Sequence, residues 1–416
     1  MTMVNDRHRR LATAALTAMT LCVGKAVAQE AGAGMFSFSG FGTLGIVHSS
    51  ERHADFTSDA SKPRGAGYSR AWSAEPDTLL AAQVTARLTE RFSAVLQLVS
   101  EQDPDHSFRP ELEWANVKYQ ITPDLSVRVG RTVLPVPMLA EIRRVGYANP
   151  WVRPPVEVYS LVPVTSNDGV DASYRMSAGA GSNTLQLTAG RSDSKFPGAT
   201  ARVRGLVILV DTLEYGPATA RVSIGRARIT LPALEPLIDA FRQFGPEGVA
   251  LADKYEMTDR QVTFVGVGAG YDPGAWFAIA EWSRVAGGGI LGTKSAWYVS
   301  GGYHLGKLTP YATYGRAKAD NLFEPGLTVS ALPPYLAEPA NALNFALNSS
   351  LSSKVVQNTV SVGARWDAAR NIALKLQYDH TRVGAGSTGL LANFQPGFQP
   401  GGRVNLLSAS VDFVFK

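Results

Sequence analysis

From Phe36 to Phe415 the chain repeats one pattern: short runs in which apolar and polar side chains alternate, broken by turn-forming residues. Successive side chains of a strand point to opposite faces, so each run has an apolar side and a polar side. The last run, Arg403 to Lys416, sets Asn405, Leu407, Ala409, Val411, Phe413 and Phe415 on one side and Leu406, Ser408, Ser410 and Asp412 on the other. In water an open edge strand of this composition is an aggregation hazard. Closed against the first run, Phe36 to Val47, it has no free edge and can face lipid with its apolar side.

The alternation predicts sixteen strands, near 36–48, 78–89, 91–101, 111–121, 124–133, 168–177, 183–192, 203–215, 218–230, 258–271, 275–286, 293–305, 307–318, 354–367, 371–383 and 402–415. In the run at 83–89, Gln83, Thr85, Arg87 and Thr89 interleave with Val84, Ala86 and Leu88. Short Gly, Pro, Asp and Asn turns, such as Thr122-Pro123-Asp124 and Asp272-Pro273-Gly274, alternate with longer segments such as 49–77, 134–167, 193–202, 231–257 and 319–353. Tight turns require those residues. The expected fold class is all-β, a transmembrane up-and-down antiparallel barrel of sixteen strands with a loop folded into the lumen. Aromatic residues gather at the short-turn ends, among them Phe36, Phe92, Tyr215, Tyr271, Trp276, Tyr303 and Trp366, as an interfacial girdle requires.

A basic n-region at Arg7 to Arg10, an apolar stretch from Leu11 to Val23 and Ala26-Val27-Ala28 have the form of an export signal, giving a leader at 1–28 and a barrel domain at 29–416. The one cysteine, Cys22, falls in that leader, so disulfides and thiol chemistry drop out of the mature chain. The leader takes four of the 40 Lys and Arg and one of the 35 Asp and Glu, leaving a net charge of +2. That small excess, on an exported chain, argues against a nucleic-acid partner. No stretch is apolar for the ~18–20 residues a membrane-spanning helix needs.

Ser39-Gly40-Phe41-Gly42-Thr43-Leu44-Gly45, Trp114 to Tyr119 with Val127 to Arg131, and Val411-Asp412-Phe413-Val414-Phe415 resemble Gram-negative outer-membrane porins. The resemblance covers the mature chain as architecture. It implies an outer-membrane channel for small hydrophilic solutes, a homotrimer, and a constriction formed by the segment after the fifth strand. One departure is Lys416, which follows Phe415 where such porins end on an aromatic.

That segment is 134–167, rich in Pro and aromatic residues, with Glu141, Arg143, Arg144, Arg153 and Glu157. Facing it across the lumen the alternation puts Arg87, Lys118, Arg128, Arg175, Arg221, Arg365 and Lys375. Rings of Arg and Lys in a water channel with low-dielectric walls favour anions, which gives an expected mild anion preference. The competing reading is that these cations brace the barrel through Asp171, Glu281, Asp367 and Asp379. In 232–257, Leu234, Leu237, Ile238 and Phe241 recur at helical spacing, and Leu336, Leu343 and Leu347 do so more loosely in 331–351. Both segments are expected to pack on the rim, the alternative being that they fold over the mouth as gates.

No G-x-S-x-G or H-E-x-x-H occurs, and His48 and His53 lack an ordered carboxylate partner in sequence, so neither catalysis, a cofactor nor a metal is expected. The rival functions are an outer-membrane lipid hydrolase on a smaller barrel and a structural or adhesive barrel with a filled lumen.

Overall fold

A computed structural model describes residues 34–179 and 181–416. The leader at 1–28 lies outside the described residues. Sixteen long strands form the wall: β1 Phe36–Ser49, β2 Leu79–Arg87, β3 Phe92–Glu101, β4 Glu111–Gln120, β5 Leu125–Val133, β6 Ser166–Ala178, β7 Gly181–Phe196, β8 Ala199–Tyr215, β9 Ala218–Thr230, β10 Arg260–Tyr271, β11 Trp276–Gly288, β12 Gly292–Tyr303, β13 Leu308–Ala319, β14 Gln357–Ala369, β15 Ile372–Val383 and β16 Gly402–Phe415. Each pairs antiparallel with its sequence neighbours. The sheet closes where β1 pairs with β16 from Gly40↔Phe415 to Ser49↔Leu406. Gly42 lets the seam lie flat, since a β-carbon there would sit 2.5 Å from the Phe413 ring.

The period-two pattern is laid onto the two sides of this wall. In β9, Val222 and Ile224 are exposed outward while Arg221, Ser223, Gly225 and Ala227 are buried inward. Tyr215 and Tyr303, 63% and 64% exposed, mark the short-turn end of the outer surface, with Phe36, Phe92, Tyr271, Trp276 and Trp366 also exposed. No helix of the described residues is long and apolar enough to cross a membrane.

The strand boundaries follow the alternation to within a few residues except at 193–202. There β7 and β8 continue past the expected loop, still pairing at Phe196↔Ala199, around a turn with Gly198 at φ 70°. The apolar-polar alternation fades because these residues rise beyond the apolar belt, where both faces meet water. Backbone pairing needs no apolar side and carries on.

The helical spacings also become structure. Helices α1 Val156–Tyr159, α2 Glu235–Arg242, α3 Gly245–Tyr255 and α4 Pro334–Ser352 lie in the longer loops. Ile238 and Phe241 of α2, Leu251 and Tyr255 of α3 and Leu347 and Leu351 of α4 form one apolar cluster with Ile290 and Leu327 at the long-loop end. A second cluster joins the first loop to the last through Phe56, Ala66, Leu390, Leu391 and Leu406. There Asp55–Phe56, Ala66–Gly67 and Leu391–Ala392 make a small three-stranded sheet.

Outward residues near strand centres are predicted to sit in hydrocarbon. Val267→Arg is expected to lower the unfolding free energy by about 2–4 kcal/mol, read from denaturant titration of protein folded in lipid vesicles. An effect below ~0.5 kcal/mol would place this face outside the bilayer.

Candidate pore constriction

The segment between β5 and β6 enters the barrel and lies against one side of it. Its rigidity starts with sequence: Pro135, Pro137, Pro150, Pro154, Pro155 and Pro163 restrict the backbone, and Leu134, Val136, Trp151, Val158, Tyr159 and Leu161 give it an apolar underside. That underside packs on inward residues of β8 to β13, including Ile208, Val210, Phe264, Phe277, Tyr298 and Tyr311. The inward face of these strands is therefore partly an apolar core.

Polar ties fix the segment in position. Trp151 Nε1 donates to Ser300 Oγ at 2.9 Å and Thr313 Oγ1 at 3.0 Å. Met138 N donates to Glu281 Oε1 at 2.8 Å, and the Val152 N–H to Gln377 Oε1 at 3.1 Å. Glu157 accepts from Gln357 Nε2 at 2.8 Å and from Thr359 Oγ1. A β-carbon on Gly315 would lie 2.6 Å from Glu157 Oε2, so glycine there admits the carboxylate to the wall. Arg221 holds Glu141 at 3.0 Å together with the carbonyls of Met138 and Pro135, both at 3.2 Å.

Arg153 is the most heavily connected of these ties. Its guanidinium donates to Asp77 Oδ1 at 2.8 Å, Asp379 Oδ2 at 3.0 Å and Ser408 Oγ at 2.7 Å, and its carbon lies 5.2 Å above the Phe56 ring. It thus joins the constricting segment, the first long loop and strands β15 and β16. Burial opposes its charge, but Asp77 and Asp379 outweigh burial and hold it protonated beyond the ordinary arginine range.

The other expected site residues fall into three groups. Arg365 and Lys375 lie beneath the segment: Arg365 Nη1 donates to the carbonyls of Tyr147 at 2.6 Å and Asn149 at 3.1 Å, and Lys375 Nζ to those of Gly146 and Trp151, both at 2.7 Å. Lys375 also pairs with Asp412 at 2.9 Å. Arg143 and Arg144 line a cavity of about 110 Å³ with Lys62, Asp59, Glu101 and Arg153. There Arg144 pairs with Glu101 and Glu113, whereas Arg143 reaches Asp59 only at 3.6 Å and lies 5.8 Å over the Tyr159 ring. Burial pushes the Arg143 guanidinium below its ordinary range, with Asp59 acting against that.

Arg87, Arg128 and Arg175 stand away from the segment, on the side of the lumen it leaves uncovered. Thr85, Ser93, Asn116, Lys118 and Ser173, inward residues of β2 to β6, remain partly exposed there. Register aligns Arg87 with Ser93, Ser93 with Lys118, Lys118 with Arg128 and Arg128 with Asp171 in one row. Arg128 meets Asp171 at 2.7 Å and Arg175 meets Glu214 at 3.5 Å. Arg87 and Lys118 have no ion-pair partner among the described residues.

The sequence reading missed Asp77, Glu101, Glu113, Lys62 and Asp412. Their partners lie far along the chain, and nothing local in the sequence marks them. The bracing carboxylates were partly legible: Asp171, Asp367 and Asp379 each hold an arginine, while Glu281 takes the Met138 N–H and the Tyr159 hydroxyl.

The closed sixteen-strand antiparallel barrel has counterparts of the same fold among solved structures. The outer-membrane channel DcaP of Acinetobacter baumannii covers 91% of this chain and 97% of its own at 12% identity and a TM-score of 0.52. The fold is that of bacterial outer-membrane porins. Salmonella typhi OmpF, in a complex with daunomycin, matches over 91% of this chain and 97% of its own at 11% identity and TM-score 0.52. An anion-selective porin from Comamonas acidovorans does so over 91% and 99% at 10% identity and TM-score 0.52. No protein-family model and no curated protein matches the sequence. Within this porin fold, the long-range ion pairs above tie the inner segment to the wall.

Two tests follow from these ties. Arg153→Ala leaves Asp77 and Asp379 buried without their cation and is expected to cost about 3–5 kcal/mol in equilibrium unfolding; a loss under ~1 kcal/mol would remove Arg153 from the anchor. Burial raises the Glu157 carboxyl above its ordinary 4.5, against the pull of Gln357 and Thr359. The folded state then keeps its proton longer than the unfolded one, so this group's contribution falls as pH rises from the unfolded value through the folded one. Glu157→Gln should flatten that part of the stability–pH curve, and an unchanged slope would count against it.

Proposed function

We propose that the chain is an outer-membrane channel through which small hydrophilic solutes, anions preferred, diffuse passively. The observation that carries this reading is the row Arg87, Lys118 and Arg128 on the uncovered wall, three cations in register with the single carboxylate Asp171 at its end. In a water-filled passage bounded by low-dielectric walls such a row concentrates anions and repels cations. Arg175 extends the same field toward the short-turn mouth.

The roles divide by environment. Glu141, Arg144, Arg153, Glu157, Arg365 and Lys375 set the shape of the passage by fixing the inner segment, and Arg143 adds a weakly paired charge at its edge. Arg87, Lys118, Arg128 and Arg175 set its charge preference. No energy coupling or chemical step is part of this reading. The Comamonas acidovorans porin, described as anion-selective, is similar in fold; the preference proposed here rests on this chain's own cations.

The outward faces of β2 and β3 support a homotrimer. Leu80, Ala82, Val84, Ala94, Leu96 and Leu98 form an apolar surface without charge on two of the shorter strands. Leu96→Arg on this surface should convert the detergent-extracted assembly to monomers by sedimentation, and an unchanged mass would exclude this face as the contact.

Charge reversal tests selectivity. Arg87→Glu with Lys118→Glu should shift the zero-current potential in asymmetric KCl toward cation preference while leaving single-channel opening intact. An unchanged potential would remove the row from the conduction path, and absence of conductance in the unmodified protein would sink the channel reading itself.

A further inference from the structure

One carboxylate of the wall faces lipid without a cation. On β8 the outward positions read Val207, Leu209, Asp211, Leu213 and Tyr215, all exposed, while Ile208 and Val210 between them are buried inside. Asp211 aligns with Leu185 of β7 on one side and Val222 of β9 on the other, both outward and apolar. Two other outward carboxylates, Asp168 and Asp193, hold Arg131 and Arg204 at 2.7 Å and 2.6 Å. Asp211 has no ion-pair partner among the described residues; it accepts one hydrogen bond, from Asn183 Nδ2 at 2.5 Å.

Its height on the wall places it within the hydrocarbon. Tyr215 marks the aromatic girdle at the short-turn end, and Asp211 stands four residues along the same strand. At ~3.3 Å per residue and a tilt of ~40°, that is roughly 10 Å above the girdle, in a belt about 25 Å tall. The outward cations Arg226, Arg284, Arg316 and Arg382 lie toward the long-loop ends of their strands, out of its reach. Ionisable groups that face hydrocarbon are costly, and they are retained where a partner meets them.

The unused valences of the pair define that partner. Asn183 directs one of its two amide N–H groups at Asp211 Oδ1, and neither the second N–H nor Asp211 Oδ2 has a partner among the described residues. Chains inserted in one orientation meet at equal heights. The outward side chains at this level on other strands, such as Leu96, Val129, Val267, Val362 and Leu376, are apolar, so the polar group another copy offers there is the same amide and carboxylate. A two-fold axis along the membrane normal between β7 and β8 sets each free N–H against the other copy's free carboxylate oxygen, which closes the set symmetrically.

The surface beside that axis fits such a contact. From Leu213 a hollow of about 400 Å³ runs across the outward face of β8 to β11, lined by Ala218, Ala220, Ala269, Ala278 and Ala280. The same rotation brings the exposed Tyr174 and Met176 of β6 opposite it.

We propose that the outward face of β7 and β8, centred on Asn183 and Asp211, is a contact with a second copy of this chain across a two-fold axis. The proposal rests on the membrane reading above. It is separate from the β2–β3 face, which lies five strands away round the wall; together the two contacts pair trimers.

The test is disulfide cross-linking of the full chain in its native membranes, in a Cys22→Ser background that leaves no other thiol. Leu185→Cys puts a thiol beside the axis while keeping Asn183 and Asp211, and oxidation should give a covalent product of twice the chain mass. Leu376→Cys, outward on β15, is the control for random encounter and should give little. Adding Asp211→Leu should lower the Leu185→Cys product roughly tenfold, with the barrel still intact by heat-modifiable gel mobility. Ala220→Trp, which fills the hollow, should do the same and decides the matter if the Asp211 variant fails to fold.

Cross-linking of Leu185→Cys no greater than that of Leu376→Cys, or unchanged by Asp211→Leu, would overturn the proposal. So would a product of any mass other than twice the chain, which would give the face to a different protein. Loss of the product in Leu96→Arg would make the contact part of the β2–β3 face, with the same consequence. A chain that stays soluble without detergent would sink the membrane reading itself, whereas absent cross-linking in a membrane-embedded barrel counts against this contact alone.

Discussion

Every peptide group that enters hydrocarbon must find its hydrogen-bond partner within the protein, because the bilayer core offers none. A sheet meets that demand only by closing, and the β1–β16 seam is where this chain does so. The seam explains sequence features that otherwise look unrelated. Gly42 faces Phe413 across it, and the small residue makes room for the ring. Closure also fixes which side of each strand is inside, so a single register error at the seam would turn Asp412 and Ser410 toward lipid.

Once closed, the barrel has an interior too wide for its own side chains to fill, and the segment after β5 occupies part of it. The inward faces of β8 to β13 are apolar where the segment lies and polar where it is pinned. Arg153 shows why the pins are built from charge. A buried guanidinium with two carboxylates offers little net stability over a well-packed apolar group. Its planar fork, however, accepts partners only in defined directions. Asp77, Asp379 and Ser408 come from one loop and two strands, so their joint geometry specifies where the segment can stop. Lys375, which meets two segment carbonyls and Asp412, and Arg365, which meets two more carbonyls, act in the same way.

What could be read in advance divides along the same line. The sixteen strands were legible because one face of each meets lipid and the other does not, a constraint that prints itself on every second residue. The segment at 134–167 was legible as stiff from its prolines, helix α2 from the spacing of Leu234, Leu237, Ile238 and Phe241, and helix α4 more loosely from Leu336, Leu343 and Leu347. The partners of its charges were not. Arg144 finds Glu101 and Glu113, and Arg153 finds Asp77, across intervals fixed by barrel curvature and loop path rather than by any local period. The extended hairpin of β7 and β8 escaped for a related reason: outside the apolar belt, strand pairing persists while its sequence signature disappears.

The positive charge of the chain is therefore not one property. Beneath the inner segment, arginine and lysine are closed in by carbonyls and carboxylates, and their field is cancelled within a few ångströms. On the uncovered wall, Arg87 and Lys118 have no ion-pair partner among the described residues, so their field is not cancelled by a neighbouring carboxylate. On the outer surface the cations of β9 to β16 face a third environment, in which a carboxylate partner is absent from the wall. Among the described residues no carboxylate stands at an outward position of β9 to β16, so the wall itself leaves Arg226, Arg284, Arg316, Lys318, Arg382 and Arg403 unpaired, while Glu281, Asp367, Asp379 and Asp412 of the same strands all face inward.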